Sequence, residues 1–297
     1  MLQEGSRFEI AYYTGTGSTA MVAECLHEAL KARGCAGGIQ KITEKAGKYE
    51  SDKQTKPARH DLLFLLFPIH SFNAPEAVYR WIDRLDKVDK TPAVVFAVTG
   101  GGEVVTNTAG SLSSIRRLEK KGYVVTYDTI LTMPNNFWVA TIEPLAVKLL
   151  EVLPGKVERI VDEVLSGVIC RPKRRLFDRI VSRLGESGKP FTGSFGKAIK
   201  VSQVCTGCGT CSRECPAGNI TLQGGRPVFA DRCHFCLNCF YICPNRALTP
   251  GKWKIAVIKE GYNLKALQAK VPLSEPVDVE KLAKGFLWSG VGKYLME

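Results

Sequence analysis

TGTGSTA, Thr14 to Ala20, follows the apolar run FEIAYY (8–13) and leads into a helical pattern, Thr19–Arg33. A strand that turns through glycines and hydroxyls into a helix aims backbone N–H groups into the turn. The positive end of the helix stands behind them, an arrangement that suits a phosphate. A P-loop needs G-x-x-x-x-G-K-[ST], and no lysine follows here. The dinucleotide fingerprint G-x-G-x-x-[GA] matches at Gly15, Gly17 and Ala20. Its acidic companion near the end of the second strand is missing, because Gly38 to Ile42 holds none and Glu44 comes late. The hydroxyls support a third reading. Thr14, Thr16, Ser18 and Thr19 place four within six positions, and a terminal phosphate has more free oxygens to use than a bridging pyrophosphate. A mononucleotide is favoured. The competing reading is a turn with a polar helix cap.

Working outward, further apolar, β-branched runs recur: LLFLLF (62–67), AVVFAV (93–98), YVVTY (123–127) and a weaker one near GGIQKI (37–42). Helical patterns lie between them at Pro75–Leu85, Ala109–Lys121 and Pro144–Val168. Apolar strands alternating with helices predict an α/β fold, a five-stranded doubly wound parallel sheet covered on both faces. Such sheets bind ligands at the carboxyl ends of their strands. The segments there are TGTGSTA, PIHSFNAP (68–75), TGGGEV (99–104) and the stretch holding MPNNFW (133–138).

TGTGST in this place resembles the phosphate loop of flavodoxins, with Ser18 where the family usually has asparagine. The resemblance implies a flavodoxin-like domain that holds FMN, with Thr14, Gly15, Thr16, Gly17, Ser18 and Thr19 around the phosphate. It implies ring contacts from Pro68, Ile69, His70, Ser71, Phe72 and Asn73 after the third strand, and from Thr99, Gly100, Gly101 and Gly102 after the fourth. Flavodoxins often stack aromatics on the ring; here only Phe72 is offered, with His70 nearby. The ring is therefore expected to be open, or covered by another part of the chain.

The second signal is CTGCGTCSRECP, Cys205 to Pro216, repeated as CHFCLNCFYICP from Cys233. Both read C-x2-C-x2-C-x3-C-P, and every cysteine of the second copy stands 28 residues after its counterpart. Three thiolates two residues apart let one loop wrap three corners of a cluster, and the proline turns the fourth toward the other half. Gly207 and Gly209 give the first loop freedom to approach it. Paired zinc sites compete, but zinc knuckles are usually two C-x2-C pairs separated by a longer loop. The runs resemble two-cluster bacterial ferredoxins, a small α+β fold. Carried over residue by residue, one [4Fe-4S] cluster takes Cys205, Cys208, Cys211 and Cys243. The other takes Cys233, Cys236, Cys239 and Cys215.

The chain has 297 residues, 45% of them apolar and 11 of them cysteine. Cysteines in metal-ligand spacing without an export signal argue against a disulfide scaffold and for a reducing, cytoplasmic setting. No apolar run approaches a membrane span. The net charge is +12, and residues 171–200 contribute nine Lys/Arg against two acids, Asp178 and Glu186. In RPKRRLFDRIVSRL (171–184), Leu176, Phe177, Ile180, Val181 and Leu184 share one helical face, expected to pack on the chain's own domain. A tail from Asp278, with Leu282, Phe286, Leu287 and Trp288, is expected to close over one of the domains. Cys25 reads as core packing; Cys35 and Cys170 have no assigned role. His70 and His234 stand in cofactor loops, where tuning a potential or moving a proton competes with plain hydrogen bonding.

The expected organisation is a flavodoxin-like domain over 1–168, a basic helical linker over 169–200, a ferredoxin domain over 201–250 and an extension over 251–297. The chain resembles a fusion of a flavodoxin to a two-cluster ferredoxin. This implies an electron-transfer iron–sulfur flavoprotein serving a partner redox protein, which docks on the basic segment. A flavin reductase with an organic substrate over an open ring is the alternative. A redox-sensing regulator on nucleic acid ranks lower, because no recognition motif is present, and no nucleic acid is expected.

Overall fold

LLFLLF is buried along its whole length because it forms the middle of the sheet. In the computed structural model, which describes residues 6–44, 60–104, 106–173, 175–187 and 189–297, it becomes β3 (Leu62–Pro68). The other strands are β1 (Arg7–Tyr12), β2 (Ala36–Lys41), β4 (Thr91–Thr99) and β5 (Tyr123–Thr132), all parallel in the order β2-β1-β3-β4-β5. That order is the flavodoxin-like doubly wound sheet, with its switch point between β1 and β3. β5 runs five residues beyond its expected end, because TILT is β-branched and apolar and pairs with β4 as far as Thr132. β2 lies at the edge and is the most exposed strand, which is why its pattern is weak.

Helices α1 (Ser18–Ala32) and α4 (Glu143–Leu165) cover one face, with Leu26, Leu30, Val157 and Val161 over Ile10, Phe64 and Phe96. Helices α2 (Glu76–Arg84) and α3 (Leu112–Lys120) cover the other, with Val78, Trp81, Ile82 and Leu118 over Leu63, Leu65 and Val95. Cys25 and Cys170 pack against the first of these cores and Cys35 lies within it.

Two helices follow, α5 (Leu176–Ser187) and α6 (Lys189–Lys197). Arg174 of the basic segment lies outside the described residues. The face that α5 buries is not the expected one. Leu176, Phe177, Ile180 and Leu184 are exposed, while Asp178, Val181 and Ser182 point inward. The reason is polar: Asp178 accepts from Thr108, Ser182 bonds Ser113 and Asn73, and Glu186 accepts from Ser113. These hydrogen bonds hold the helix by its polar side and, Val181 apart, leave the apolar stripe outside.

The cysteine region is a small α+β unit. Its strands are β6 (Lys200–Val201), β7 (Ile220–Gln223), β8 (Arg226–Phe229) and β9 (Leu248–Thr249), paired antiparallel as β6 with β9 and β7 with β8. Between them lie two single-turn helices, α7 (Thr210–Arg213) and α8 (Asn238–Tyr241). The chain continues through a 3-10 turn (Gly251–Ala256), α9 (Leu264–Gln268), α10 (Val279–Leu282) and α11 (Ser289–Met296). This tail closes on α4, where Ala283, Trp288 and Val291 cluster with Leu145 and Leu149. Phe286 does not join them; it is exposed. No described helix is long and apolar enough to cross a membrane.

Candidate metal centres

The two cysteine runs fold as backbone copies. α8 stands 28 residues after α7, as the cysteines do. The left-handed positions repeat too: Gly207 (φ 71°) matches Phe235 (φ 56°), and Gly209 (φ 72°) matches Leu237 (φ 63°). The Asn219 N–H donates to Cys215 Sγ at 3.4 Å, and its counterpart Ala247 donates to Cys243 Sγ at 3.3 Å.

The cysteines divide between two concavities. One is lined by Cys205, Cys208, Cys211 and Cys243. The other is lined by Cys215, Cys233, Cys236 and Cys239. In each, the fourth thiol comes from the opposite repeat, because the proline after it turns the chain. Four thiols wall each concavity, the number of ligands that a [4Fe-4S] cluster takes. Burial pushes the thiols of Cys233 up to about 11 and Cys236 up to about 12, and Cys239 well above its ordinary value. Such thiols need a bound cation to become ligands, and iron supplies that charge. Thr210 holds exposed Cys208 below its ordinary value through hydrogen bonds to the sulfur.

The second concavity rests on the carboxyl edge of the five-stranded sheet. A Cβ added to Gly15 would lie 2.5 Å from Cys236 Cβ, and one added to Gly196 on α6 would lie 2.6 Å from Cys233 Cβ. Only residues without side chains can stand there. Tyr13, the last residue before the TGTGST loop, bonds His234 Nδ1 through its hydroxyl at 2.8 Å. His234 Nε2 lies 3.0 Å from Glu44 Oε2, and Arg80 donates to the same carboxylate. Burial alone would push Glu44 up, but the bonds from His234 and Arg80 outweigh it and hold the carboxyl at about 2. His70, pushed down to about 4 by burial, stays neutral beside His234. Sequence reading picks out neither Tyr13 nor Arg80, and it met Glu44 only as a misplaced acid. Their partners are set by the fold.

The residues expected around FMN are brought to one edge but are already engaged. Thr14 Oγ1 accepts from the Gly17 N–H within its own loop. Thr16 Oγ1 accepts from Asn136 Nδ2 at 2.8 Å, and Ser18 Oγ bonds Tyr262 OH at 2.8 Å. Leu264 lies over Gly17 and Thr19 is buried. After β3, Pro68 ends the strand and Ile69 packs on the core. His70 to Asn73 closes as a tight turn, with Ser71 and Phe72 at positive φ. Asn73 exchanges hydrogen bonds with Ser182 of α5, and Phe72 is exposed. After β4, the Gly101 N–H donates to Thr99 Oγ1, Gly100 faces Asn135, and Gly102 meets the backbone of Gly290 in α11. Thr14, Thr16 and Ser18 are thus each hydrogen-bonded within the chain.

A family model described as 4Fe-4S dicluster domain matches residues 197–244. The chain is 46% identical over 46 residues to a ferredoxin-like protein in the vnf region of Azotobacter chroococcum mcd 1. That match covers 14% of this chain and 71% of the other. Among solved structures, an archaeal flavodoxin is 10% identical, with 53% of this chain and 98% of that chain covered and a TM-score of 0.36. The Megasphaera elsdenii flavodoxin is 21% identical, with 41% and 84% covered and a TM-score of 0.31. At these scores the fold assignment rests on the strand order β2-β1-β3-β4-β5 itself.

Proposed function

Because the chain belongs, through its cysteine region, to the 4Fe-4S dicluster ferredoxin family, we propose that it is an electron carrier with two [4Fe-4S] clusters. Cys205, Cys208, Cys211 and Cys243 hold the outer cluster; Cys233, Cys236, Cys239 and Cys215 hold the inner one. The observation that carries this reading is the sorting of eight cysteines into two concavities, each taking its fourth thiol from the other repeat. When bound, such clusters supply reversible one-electron storage. The chain's part is to aim the N–H donors of Asn219 and Ala247 at the thiolates. Electrons enter or leave at the outer loop, where Cys208 and Val204 are exposed.

The partner is an acidic redox protein. Besides the outer loop, α5 offers it the exposed stripe Leu176, Phe177, Ile180 and Leu184, flanked by exposed Arg175, Arg179 and Arg183. An apolar centre rimmed by basic groups complements an acidic rim. A second reading, an iron–sulfur flavoprotein with FMN at Thr14–Thr19, is favoured by four hydroxyls in six positions at the switch point. It requires Asn136 and Tyr262 to release Thr16 and Ser18.

Cys239→Ser and Cys215→Ser, purified without oxygen, test the ligand sets. Both variants should lose the same electron paramagnetic resonance signal although 24 residues separate them. Loss of different signals would refute the assignment.

A further inference from the structure

The loops after β1, β3, β4 and β5, at the carboxyl edge of the sheet, are each met by a part of the chain beyond residue 175. The loop after β1 meets the Cys236 turn, Tyr262 and Leu264. The loop after β3 meets α5 through Ser182, and Gly185 approaches so closely that an added Cβ would lie 2.4 Å from Ser71 O. The loop after β4 meets Gly290 of α11. The loop after β5 meets three segments: Asn136 O accepts from Tyr241 OH at 2.6 Å, Pro134 O accepts from Tyr262 OH at 3.2 Å, and the Trp138 N–H donates to Ala256 O at 3.1 Å. Phe137 meets Phe235 with ring centroids 5.7 Å apart. Four separate loops thus turn their polar groups to segments of the same chain.

We infer that this edge is a socket for the inner-cluster loop and not a flavin site. In a mononucleotide site the glycines of such a turn admit phosphate oxygens; here Gly15 admits the Cβ of Cys236 and its backbone. The hydroxyls that would face a phosphate face an amide and a phenol. Asn136 Nδ2 donates to Thr16 Oγ1 and also lies 3.4 Å from Cys236 O, so one side chain ties the loop to the cysteine turn. Tyr13, His234, Glu44 and Arg80 extend the seam on the far side of that turn. Glu44 N–H also donates to Pro216 O at 2.8 Å, one residue past the fourth inner cysteine. The nucleotide-type turn therefore holds a ligand loop of its own chain, and FMN and the seated loop exclude each other. This inference rests on the two-cluster reading above.

The full chain, purified without oxygen, is assayed for iron and for released flavin, and then titrated with FMN while flavin fluorescence is followed. About eight irons per chain are expected, with no flavin released and no quenching on addition of FMN. One FMN per chain, or saturable quenching, overturns the inference while eight irons leave the carrier reading standing. A chain without iron overturns both. Gly15→Val is the second arm. Its added carbons strike Cys236, so one of the two cluster signals should be lost and the other kept. Retention of both signals overturns the inference. If the variant does not accumulate, the wild-type titration still decides.

Discussion

The two cysteine loops have the same spacing and the same backbone, yet they use different residues at the strained positions. The outer loop has Gly207 and Gly209 where φ is positive; the inner loop has Phe235 and Leu237. A left-handed conformation costs an L-residue about 1–2 kcal/mol. The inner loop tolerates this because its side chains are packed against neighbours. Phe235 packs against Phe195 with ring centroids 4.4 Å apart, and against Phe191 and Phe137. Leu237 is almost fully buried. Burying one such side chain contributes about 1.5–3 kcal/mol, enough to offset the strain. The outer loop has no such neighbours: Cys208 is exposed, as are Val204 and Leu222. One ligand loop is therefore part of the protein's interior and the other is a surface feature, although both are built to bind the same group.

The largest expected difference comes from removing a ligand on each side. Cys236→Ser should lose the inner cluster and unfasten the seam to the sheet, giving a large fall in thermal midpoint. Cys208→Ser should lose about four irons and leave the melting of the sheet domain nearly unchanged. Equal losses of stability, measured anaerobically by circular dichroism, would erase the comparison.

The strained positions sharpen it next. Phe235→Gly removes strain of about 1–2 kcal/mol but forfeits a half-buried aromatic of a kind worth about 3–5 kcal/mol when fully buried, so the holoprotein should be modestly destabilised in urea. Gly207→Ala should cost about 1–2 kcal/mol from strain alone; its added Cβ would also meet Gly225 O at 2.4 Å. A Phe235→Gly variant more stable than the parent would show that strain, and not packing, dominates the inner loop.

The smallest effect belongs to a single hydrogen bond. Thr210→Val removes the hydroxyl 3.4 Å from Cys208 Sγ. Because hydrogen bonds to sulfur help set cluster potentials, one of the two reduction potentials should move slightly negative in a spectroelectrochemical titration. Movement of both would mean that the two sites are not separate environments.

Much of this was legible from local pattern. LLFLLF reads as a central strand because only a strand covered on both faces is apolar at every position. TGTGSTA reads as a strand-to-helix turn because glycine and hydroxyls suit that geometry, and it occupies that place here. The side on which α5 packs was not legible, since amphipathicity marks two faces without saying which one finds partners. Asp178 and Ser182 meet Thr108 and Asn73, residues 70 and 109 positions earlier.

The sequence by itself determined the five-stranded doubly wound sheet and the two repeats of cluster-ligand spacing, because periodicity and ligand spacing are properties of a few neighbouring residues. Only the tertiary structure decided which ligand loop is interior, that Gly15 lies against Cys236, and that Thr16 and Ser18 are engaged by Asn136 and Tyr262. Those contacts join positions 120 and 244 residues apart. Such pairings depend on how whole elements pack, and no local pattern of glycines and hydroxyls encodes what will fill the turn they make.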